Sequence, residues 1–234
     1  MSDISTIHQV HNSKSKGNGI VRYGDWLVLE FSSLQKCLSW AVCGGGMINA
    51  GKVVWRRVRE TELNQCTNPQ NFLAEKLQQE NITEAVGLLT SANLDAYADV
   101  EKTFGPYAAR CIATVGMGNA LCVGDLPTAP NHIGTINLLC QLSVPLSDGA
   151  FIEAVSIATE ARTKAVLESN LQSRRSAQLA TGTGTDCIVI AAAQGEGESK
   201  YAGKHTIVGH LIGSSVFEAV RQGIASWKQN KKIK

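Results

Sequence analysis

The stretch that decides the fold is residues 134–165, which read GTINLLCQLSVPLSDGAFIEAVSIATEARTKA. Its first part, TINLLCQLSV, is a short apolar run of the kind found in buried strands. Ser147 and Asp148 then supply a helix N-cap, and apolar residues follow at helical spacing along one face. That face consists of Phe151, Ala154, Val155, Ala158, Ala161 and Ala165. Because most of these side chains are alanine, we expect the helix to lie close against a sheet.

The same order of elements occurs earlier in the chain, in the segments CLSWAVCGGGMINAG, KVVWRRV, NPQNFLAEKLQQEN and AVGLLTSA. Asn68 followed by Pro69 is an N-cap with proline at the first helical position. Each half of the chain is therefore predicted to contain, in this order, a strand, a glycine-rich turn, a second strand, a helix and a third strand. A last helix is predicted over about 206–228, and its buried face is formed by Val208, Ile212, Val216, Ala219 and Trp227.

This pattern predicts an α+β fold in which two ββαβ-like halves form mixed sheets, are covered by helices and are closed by a C-terminal helix. We expect a flexible N-terminal tail over 1–19, a single domain over 20–228 and a basic C-terminal tail over 229–234. The halves would span about 20–100 and 108–228. An internal duplication is one explanation of the pattern, and chance similarity between β-rich segments is the other.

Composition places the chain among well-packed domains. Of its 234 residues 44% are hydrophobic and 18% are charged, and the formal net charge is +2. This balance excludes a disordered or fibrous chain and favours neither a nucleic-acid nor a membrane partner. The seven cysteines lack zinc-finger spacing, and the N-terminus MSDISTIHQV lacks the pattern of a signal peptide. We therefore expect a cytoplasmic protein with free thiols, no required metal or other cofactor, and no membrane or nucleic-acid partner, and we leave open whether it forms a homo-oligomer.

A second stretch, TGTGTDCIVIAA at residues 181–192, resembles a phosphate loop at first sight. Phosphate loops and dinucleotide fingerprints lead into a helix, whereas these glycines lead into an apolar strand, so both nucleotide interpretations fail. What remains is a turn of Gly182, Thr183, Gly184 and Thr185 that carries Asp186 to the mouth of a buried strand. Either that acid has a functional partner, or the hydroxyls only satisfy their own backbone.

The segment YAGKHTIVGHLIG at residues 201–213 places Lys204 and His205 where the last helix begins. The positive end of the helix dipole favours a neutral imidazole that can accept a proton, and a neighbouring ammonium can stabilise an oxyanion. The alternative is that both are ordinary surface residues. Gly209 and Gly213 cost helix stability, which indicates that something packs closely against them.

Three further segments contain candidate ligand-binding residues. GMGNALCVGD at 116–125 offers Asn119 and Asp125 on a glycine-rich turn, which is also typical of a plain hairpin. GTINLLCQ carries Thr135 and Asn137 on one strand face, which either lines a pocket or faces water. CGGGMINAG lets a bulky ligand approach the backbone. The predicted catalytic residues are thus His205, Asp186, Lys204, Thr183 and Thr185, and the predicted substrate-binding residues are Gly45, Asn49, Asn119, Asp125, Thr135, Asn137, Gly182 and Gly184.

Taken together, ATGTGTDCIVIAA, YAGKHTIVGHLIG, VGMGNALCVGD and the 134–165 stretch resemble the adenosylcobinamide amidohydrolase (CbiZ) family, from about Trp26 to Ala225. The sequence departs from the family pattern at His210, where the family has an acid, and in its longer first glycine cluster. The resemblance implies a corrinoid-salvage hydrolase that cleaves the aminopropanol amide of adenosylcobinamide to give adenosylcobyric acid. A cobalt corrinoid would then be the substrate.

For this reaction we expect His205, oriented by Asp186, to activate water, while Lys204 and backbone N–H groups near Asn119 or Gly184 stabilise the oxyanion. The alternative is covalent catalysis, in which Thr183 or Thr185 is the nucleophile and His205 the base. Two other functions fit the same residues: a corrinoid-binding protein without catalysis, and an amidase for another amide-rich substrate.

Overall fold

The computed structural model describes residues 19–59, 62, 68–127, 134–195 and 197–232. Within these residues one eight-stranded mixed sheet carries most of the structure, in the strand order β4-β3-β2-β10-β8-β6-β5, and β1 pairs with the beginning of β2. A separate pair is formed by β7 and β9. The strands are β1 Ile20–Tyr23, β2 Trp26–Ser39, β3 Gly46–Arg57, β4 Ala85–Thr90, β5 Ala98–Phe104, β6 Tyr107–Val115, β7 Ala120–Leu121, β8 Ile136–Leu142, β9 Gly182–Thr183 and β10 Cys187–Ala192. The helices are α1 Pro69–Gln79, α2 Asp148–Glu168 and α3 Ile207–Lys232.

The predicted α+β fold with two ββαβ halves is confirmed. In the first half β2 pairs antiparallel with β3, and after α1 the chain returns as β4, parallel to β3. In the second half β6 pairs antiparallel with β8, and after α2 the chain returns as β10, parallel to β8. The antiparallel pairing of β10 with β2 joins the halves into one sheet, and α3 closes the fold as predicted.

The helix caps follow from the sequence. The Asn68 side chain accepts hydrogen bonds from the first-turn backbone of α1, with Pro69 at the first helical position. The Ser147 hydroxyl accepts from the N–H of Ala150 at the start of α2. The helix α3 runs to Lys232, beyond its predicted end near 228 and through most of the expected basic tail. Lys, Gln and Asn continue a helix without a break when neither Gly nor Pro interrupts them.

The sheet separates two apolar cores. On one face the alanine side of α2 and the buried side of α3 cover alternate residues of β5, β6, β8 and β10. On the other face Ile112, Leu139 and Val189 pack against residues of β2, β3 and β4. The sheet therefore curls until β4 approaches β8, where Asn137 Nδ2 donates to the carbonyl oxygen of Leu89 at 2.6 Å. A third, smaller cluster holds α1 against the outer side of β2 and β3.

The curl depends on a feature that sequence patterns did not reveal. The pairing of β2 with β3 shifts register between Glu30 and Gln35, which bends the long strand β2. Its first part pairs with β1 and its last part with β10. The edge strand β5, which pairs with β6, was not predicted either. It lies between the two proposed halves and extends the sheet under α3.

Candidate active site

Two predicted turns and the loop after β2 meet at the end of the sheet where β8 and β10 begin. The 181–186 turn includes β9, which pairs with β7, and Gly184 N lies 3.3 Å from the carbonyl oxygen of Asn119. From the loop after β2, Trp40 Nε1 donates to the carbonyl oxygen of Asp186 at 2.7 Å. We call the residues 181–186, with Asn119 and Trp40, the glycine-turn cluster. The turn leads into β10 and not into a helix, so it offers no helix N-terminus for a phosphate.

The centre of this cluster is the carboxylate of Asp186, whose side chain is 6% exposed. Its Oδ1 accepts hydrogen bonds from the N–H of Ile136 at 2.9 Å and from the Thr183 hydroxyl. Its Oδ2 accepts from the N–H of Thr183 at 2.9 Å and lies 3.0 Å from Nη1 of Arg162, on α2. Burial raises the pKa of Asp186 above its usual value, and the charge of Arg162 opposes that rise. The carboxylate is therefore fixed by β8, by α2 and by its own turn.

The two glycines of the turn are required by close packing. A Cβ at Gly182 would lie 2.5 Å from Asp186 Oδ2 and 3.6 Å from the Arg162 guanidinium carbon. A Cβ at Gly184 would lie 2.7 Å from Nδ2 of Asn119. Because real Cβ contacts are not this short, these positions exclude side chains, and the Asn119 amide lies directly beside the turn.

The remaining polar residues of this end are used within the fold. Thr135 and Asn137 are buried, at 5% and 2% exposure. Thr135 Oγ1 lies 2.9 Å from the carbonyl oxygen of Thr185, and Asn137 ties β8 to β4. Their strand face therefore does not face water, and the role in substrate binding predicted for both residues remains a prediction.

Asp125 lies on the 116–125 segment that carries Asn119, which pairs through β7 with β9 and does not form the plain hairpin that the sequence also allowed. Its Oδ2 accepts from the N–H of Cys122 at 2.8 Å and from the Ser173 hydroxyl at 2.5 Å. Hydrogen bonds from Ser173 and the Cys122 backbone lower the pKa of this carboxyl. The bond from Ser173 fastens the 116–125 segment to the segment after α2, which gives Asp125 a structural role beside the turn.

Lys204 and His205 lie in a turn just before α3, and both side chains are exposed. Lys204 Nζ pairs with Glu160 Oε2 at 2.5 Å, and the N–H of the adjacent Ala202 donates to Glu153 at 2.7 Å. Glu153 and Arg162 are nine residues apart on α2, which corresponds to about 13 Å along the helix. The hydrogen bonds that the structure gives the Asp186 side chain go to Ile136, Thr183 and Arg162, and none goes to His205.

The expected pairing of Asp186 with His205 is therefore not formed in this structure. The physical reason is that one side of α2 carries Arg162 to the glycine-turn cluster, whereas Lys204 and Ala202, which flank this turn, are bound to Glu160 and Glu153 on the opposite side of the same helix. His210, which stands where the family pattern has an acid, is exposed on α3. The roles predicted for Lys204 and His205 remain predictions.

The first glycine cluster contributes in part. Gly45 packs against the loop that carries Trp40, since a Cβ there would lie 2.8 Å from the carbonyl oxygen of Ala41. Asn49 lies away from this loop and accepts a hydrogen bond from Gln194 Nε2 at 3.0 Å. Because residue 36 pairs with both Asn49 and Ala192, Asn49 stands level with the far end of β10. The structure thus places Gly45 beside the loop of Trp40 and Asn49 apart from it.

Sequence reasoning missed two residues that contact the 181–186 turn, Arg162 and Trp40. Arg162 follows Ala158 by four residues, so it lies on the alanine face of α2, where a cation needs a buried partner. That position was a usable signal. Trp40 gave none, because an indole at the end of a strand is equally typical of an apolar core.

The surface around the cluster is open and partly apolar. Trp40 is 50% exposed, and Val123, whose N–H donates to the Thr181 hydroxyl, is 82% exposed. Leu126 and Leu179 are also exposed on neighbouring segments. Behind the turn at 116–119 lies a cleft of about 170 Å³, lined by Ser91, Ala92, Asn93, Ala96, Val115, Gly116, Gly118, Gly223, Trp227 and Asn230.

Two absences concern only the residues that the structure describes. Among them no three His, Cys, Asp or Glu side chains are grouped so that they could hold a metal ion. In the same part of the chain no helix is long and apolar enough to cross a membrane.

Comparison with known proteins decides the family. The sequence profile of the adenosylcobinamide amidohydrolase (CbiZ) family matches residues 8–232. The chain belongs to this family. The resemblance found in the motifs is thereby confirmed over nearly the whole chain, and it identifies the protein as a member of a family of amidohydrolases.

Individual relatives are distant. An uncharacterized protein of Methanocaldococcus jannaschii is 29% identical, with 92% of this chain and 90% of the relative covered. An adenosylcobinamide amidohydrolase of Methanosarcina mazei is 27% identical over 67% of this chain and 75% of its own length. Another, of Halobacterium salinarum, is 31% identical over 52% of each chain. A crystal structure of a protein from Pyrococcus horikoshii aligns with a TM-score of 0.46 and 11% identity, covering 93% of this chain and 82% of that one.

Proposed function

We propose that this protein is an adenosylcobinamide amidohydrolase. It hydrolyses the amide that joins aminopropanol to the corrinoid and releases adenosylcobyric acid, which re-enters coenzyme B12 synthesis. The observation that carries the proposal is the family match over residues 8–232, together with relatives of that name in Methanosarcina mazei and Halobacterium salinarum. The substrate is a cobalt corrinoid, and the protein's own chemistry uses only its side chains and backbone.

We place the reaction at the glycine-turn cluster. A corrin ring is wide, fringed by neutral amides and apolar at its edges, so it needs an open surface with backbone that it can approach closely. Gly184 is exposed and offers such a backbone, and the Asn119 amide beside it is a hydrogen-bond donor and acceptor for a substrate amide. The exposed Trp40 and Val123 supply apolar surface next to the turn.

Cobinamide lacks the nucleotide-loop phosphate of complete cobamides, and the cluster lacks the helix N-terminus that a phosphate would need. The 170 Å³ cleft beside Gly116 is too small for a corrin. We therefore place the corrin ring on the open surface around the glycine-turn cluster and not in the cleft.

The test is incubation of the protein with adenosylcobinamide, followed by mass analysis for cobyric acid and free aminopropanol. We expect both products in equal amounts. A shift of the corrinoid absorption spectrum without release of aminopropanol would show a binding protein instead. Release of ammonia or an amine from a small amide, with adenosylcobinamide left intact, would assign the chain to another amide-rich substrate.

A further inference from the structure

We propose that Thr183 is the nucleophile of this hydrolase, that Asp186 is its base, and that Arg162 is a positioning residue for that base. The inference rests on the proposed function, because it names the residues that would attack the amide. It replaces His205 as the base of the covalent mechanism with a carboxylate that already contacts the threonine.

The geometry singles out one of the three threonines in the turn. The Thr183 hydroxyl donates to Asp186 Oδ1. The Thr181 hydroxyl instead accepts from the N–H of Val123 at 2.8 Å, and the Thr185 hydroxyl lies 3.4 Å from the carbonyl oxygen of Gly134. A hydroxyl becomes a useful nucleophile only when a base takes its proton. Of the three threonine hydroxyls in the turn, the Thr183 hydroxyl is the one that donates to a carboxylate.

The exposure of Thr183 and the burial of Asp186 fit their roles as nucleophile and base. Thr183 is half-buried and directly precedes the exposed turn residues Gly184 and Thr185, so it stands at the edge of the open surface. Asp186 lies behind it, nearly fully buried. Burial raises the pKa of this carboxyl, which makes it a stronger base than a carboxylate in water. A protected base behind an accessible hydroxyl is the arrangement that acyl transfer needs.

Arg162 acts through Asp186. Its Nη1 lies 3.0 Å from Asp186 Oδ2 on the side away from the Thr183 hydroxyl, which bonds to Oδ1. The guanidinium thus holds one carboxylate oxygen and leaves the other directed at Thr183. Among the residues that the structure describes, the other titratable group beside Asp186 is the thiol of Cys187 at the start of β10, and from β8 the carboxylate accepts a hydrogen bond from the backbone N–H of Ile136.

The reaction then runs in two balanced stages. In the first, Thr183 Oγ1 adds to the amide carbonyl carbon as its proton passes to Asp186. The carbon–nitrogen bond breaks, Asp186 returns the proton to the departing nitrogen, and aminopropanol leaves from a Thr183 ester. In the second, water adds to the ester as Asp186 takes its proton, the bond to Oγ1 breaks, and Oγ1 recovers the proton as the corrinoid acid is released.

Asn119 stands where a donor for the oxyanion is needed. It precedes Ala120, which pairs with Thr183, and its Nδ2 lies beside Gly184. Among the described residues the Asn119 side chain has no hydrogen-bond partner, and we assign its amide the role of donor to the oxygen of the tetrahedral intermediate.

The first experiment compares Thr183→Ala, Thr183→Ser and, as a remote control on the edge strand, Thr103→Ala in the adenosylcobinamide assay. We expect Thr183→Ala to lower turnover by about a thousandfold or more, Thr183→Ser to retain it within about tenfold, and the control to match the wild type. Acid-quenched wild type should carry the cobyric acyl group on the peptide that contains Thr183. A folded Thr183→Ala variant with turnover within tenfold of wild type overturns the proposal.

The second experiment reads the pH dependence of turnover in Arg162→Met, or in Arg162→Lys if the Met variant does not fold. Because Arg162 lowers the pKa of Asp186, its loss should move the acidic limb of the profile to higher pH. An acidic limb that stays in place in both variants overturns the assignment of Asp186 as the base.

The two proposals fail in distinguishable ways. If wild type releases no cobyric acid, the proposed function fails. If wild type releases it and the folded Thr183→Ala variant does too, only the nucleophile is wrong.

Discussion

Two regions of this protein, the glycine-turn cluster and the start of α3, contain the residues that the sequence predicts to be catalytic. The two regions differ in how far their side chains are buried. At the glycine-turn cluster the central side chain is buried and bonded: Asp186 has four donors and is 6% exposed. At the start of α3 the side chains of Lys204 and His205 are exposed, and the backbone is what packs closely. A Cβ at Gly209 would collide with the carbonyl oxygens of Gly203 and Ala202.

The difference shows how burial fixes the position of a reactive side chain. The Lys204–Glu160 pair is 68% and 52% exposed, so solvent screens it and its contribution to stability is small. The Asp186–Arg162 pair is 6% and 13% exposed, so its geometry is set by the protein and not by water. The four predictions that follow perturb one region or the other, from the largest expected effect to the smallest.

Gly209→Ala tests the packing at the start of α3. Because the new Cβ would meet two backbone carbonyl oxygens, which cannot rotate away, we expect a loss of about 3 kcal/mol in the free energy of unfolding. The measurement is a urea titration followed by circular dichroism.

The matched control is Gly213→Ala, one turn later on α3. Its Cβ would meet only Ile157 Cγ2 at 3.7 Å, an ordinary contact, so this variant should be equal to wild type or more stable by up to about 1 kcal/mol. Equal losses of stability in both variants would show that alanine destabilises α3 for a reason other than the close contact at Gly209. The prediction that something packs closely against both glycines is thus right for Gly209 and wrong for Gly213.

Gly182→Ala tests the cluster in the same way. A Cβ 2.5 Å from Asp186 Oδ2 forces the carboxylate to shift although four donors hold it. We expect a loss of about 2 kcal/mol in unfolding free energy, together with loss of turnover. Gly149→Ala, where a Cβ meets no atom within 4 Å, is the control and should keep both. Full activity of Gly182→Ala would mean that the position of the carboxylate is unimportant.

Trp40→Phe removes the hydrogen bond from the indole N–H to the carbonyl oxygen of Asp186 and keeps an aromatic ring. We expect a loss of about 1 kcal/mol in unfolding free energy, the usual net contribution of one hydrogen bond. The check is the midpoint of thermal unfolding at matched pH. A midpoint identical to wild type would show that Trp40 lies on the cluster without holding it.

His205→Ala tests the exposed region and has the smallest expected effect on stability, within about 0.5 kcal/mol. Its turnover separates the two mechanisms. With Asp186 as base we expect activity close to wild type, measured as release of aminopropanol. A fall of a hundredfold or more in a variant with unchanged stability would restore His205 as the base and return catalysis to the start of α3.

The fold was largely predictable because its signals are local. Asn68, Pro69 and Ser147 mark helix starts, and the alanine face of α2 indicates close packing on a sheet. The register shift in β2 and the edge strand β5 were missed, because a bend depends on which strands pair with β2, and pairing is not a local property. The end of α3 was placed too early because polar residues do not by themselves stop a helix.

One part of the candidate site was likewise predictable from local sequence, and another part was not. That glycines and threonines would present Asp186 at the start of a buried strand followed from the sequence alone, since turn residues and a continuous apolar run are properties of neighbouring residues. The partner of that carboxylate followed only from the tertiary structure. The choice between His205 and Arg162 depends on which side of α2 each segment contacts, and those contacts exist only after the sheet has curled and the helices have covered it.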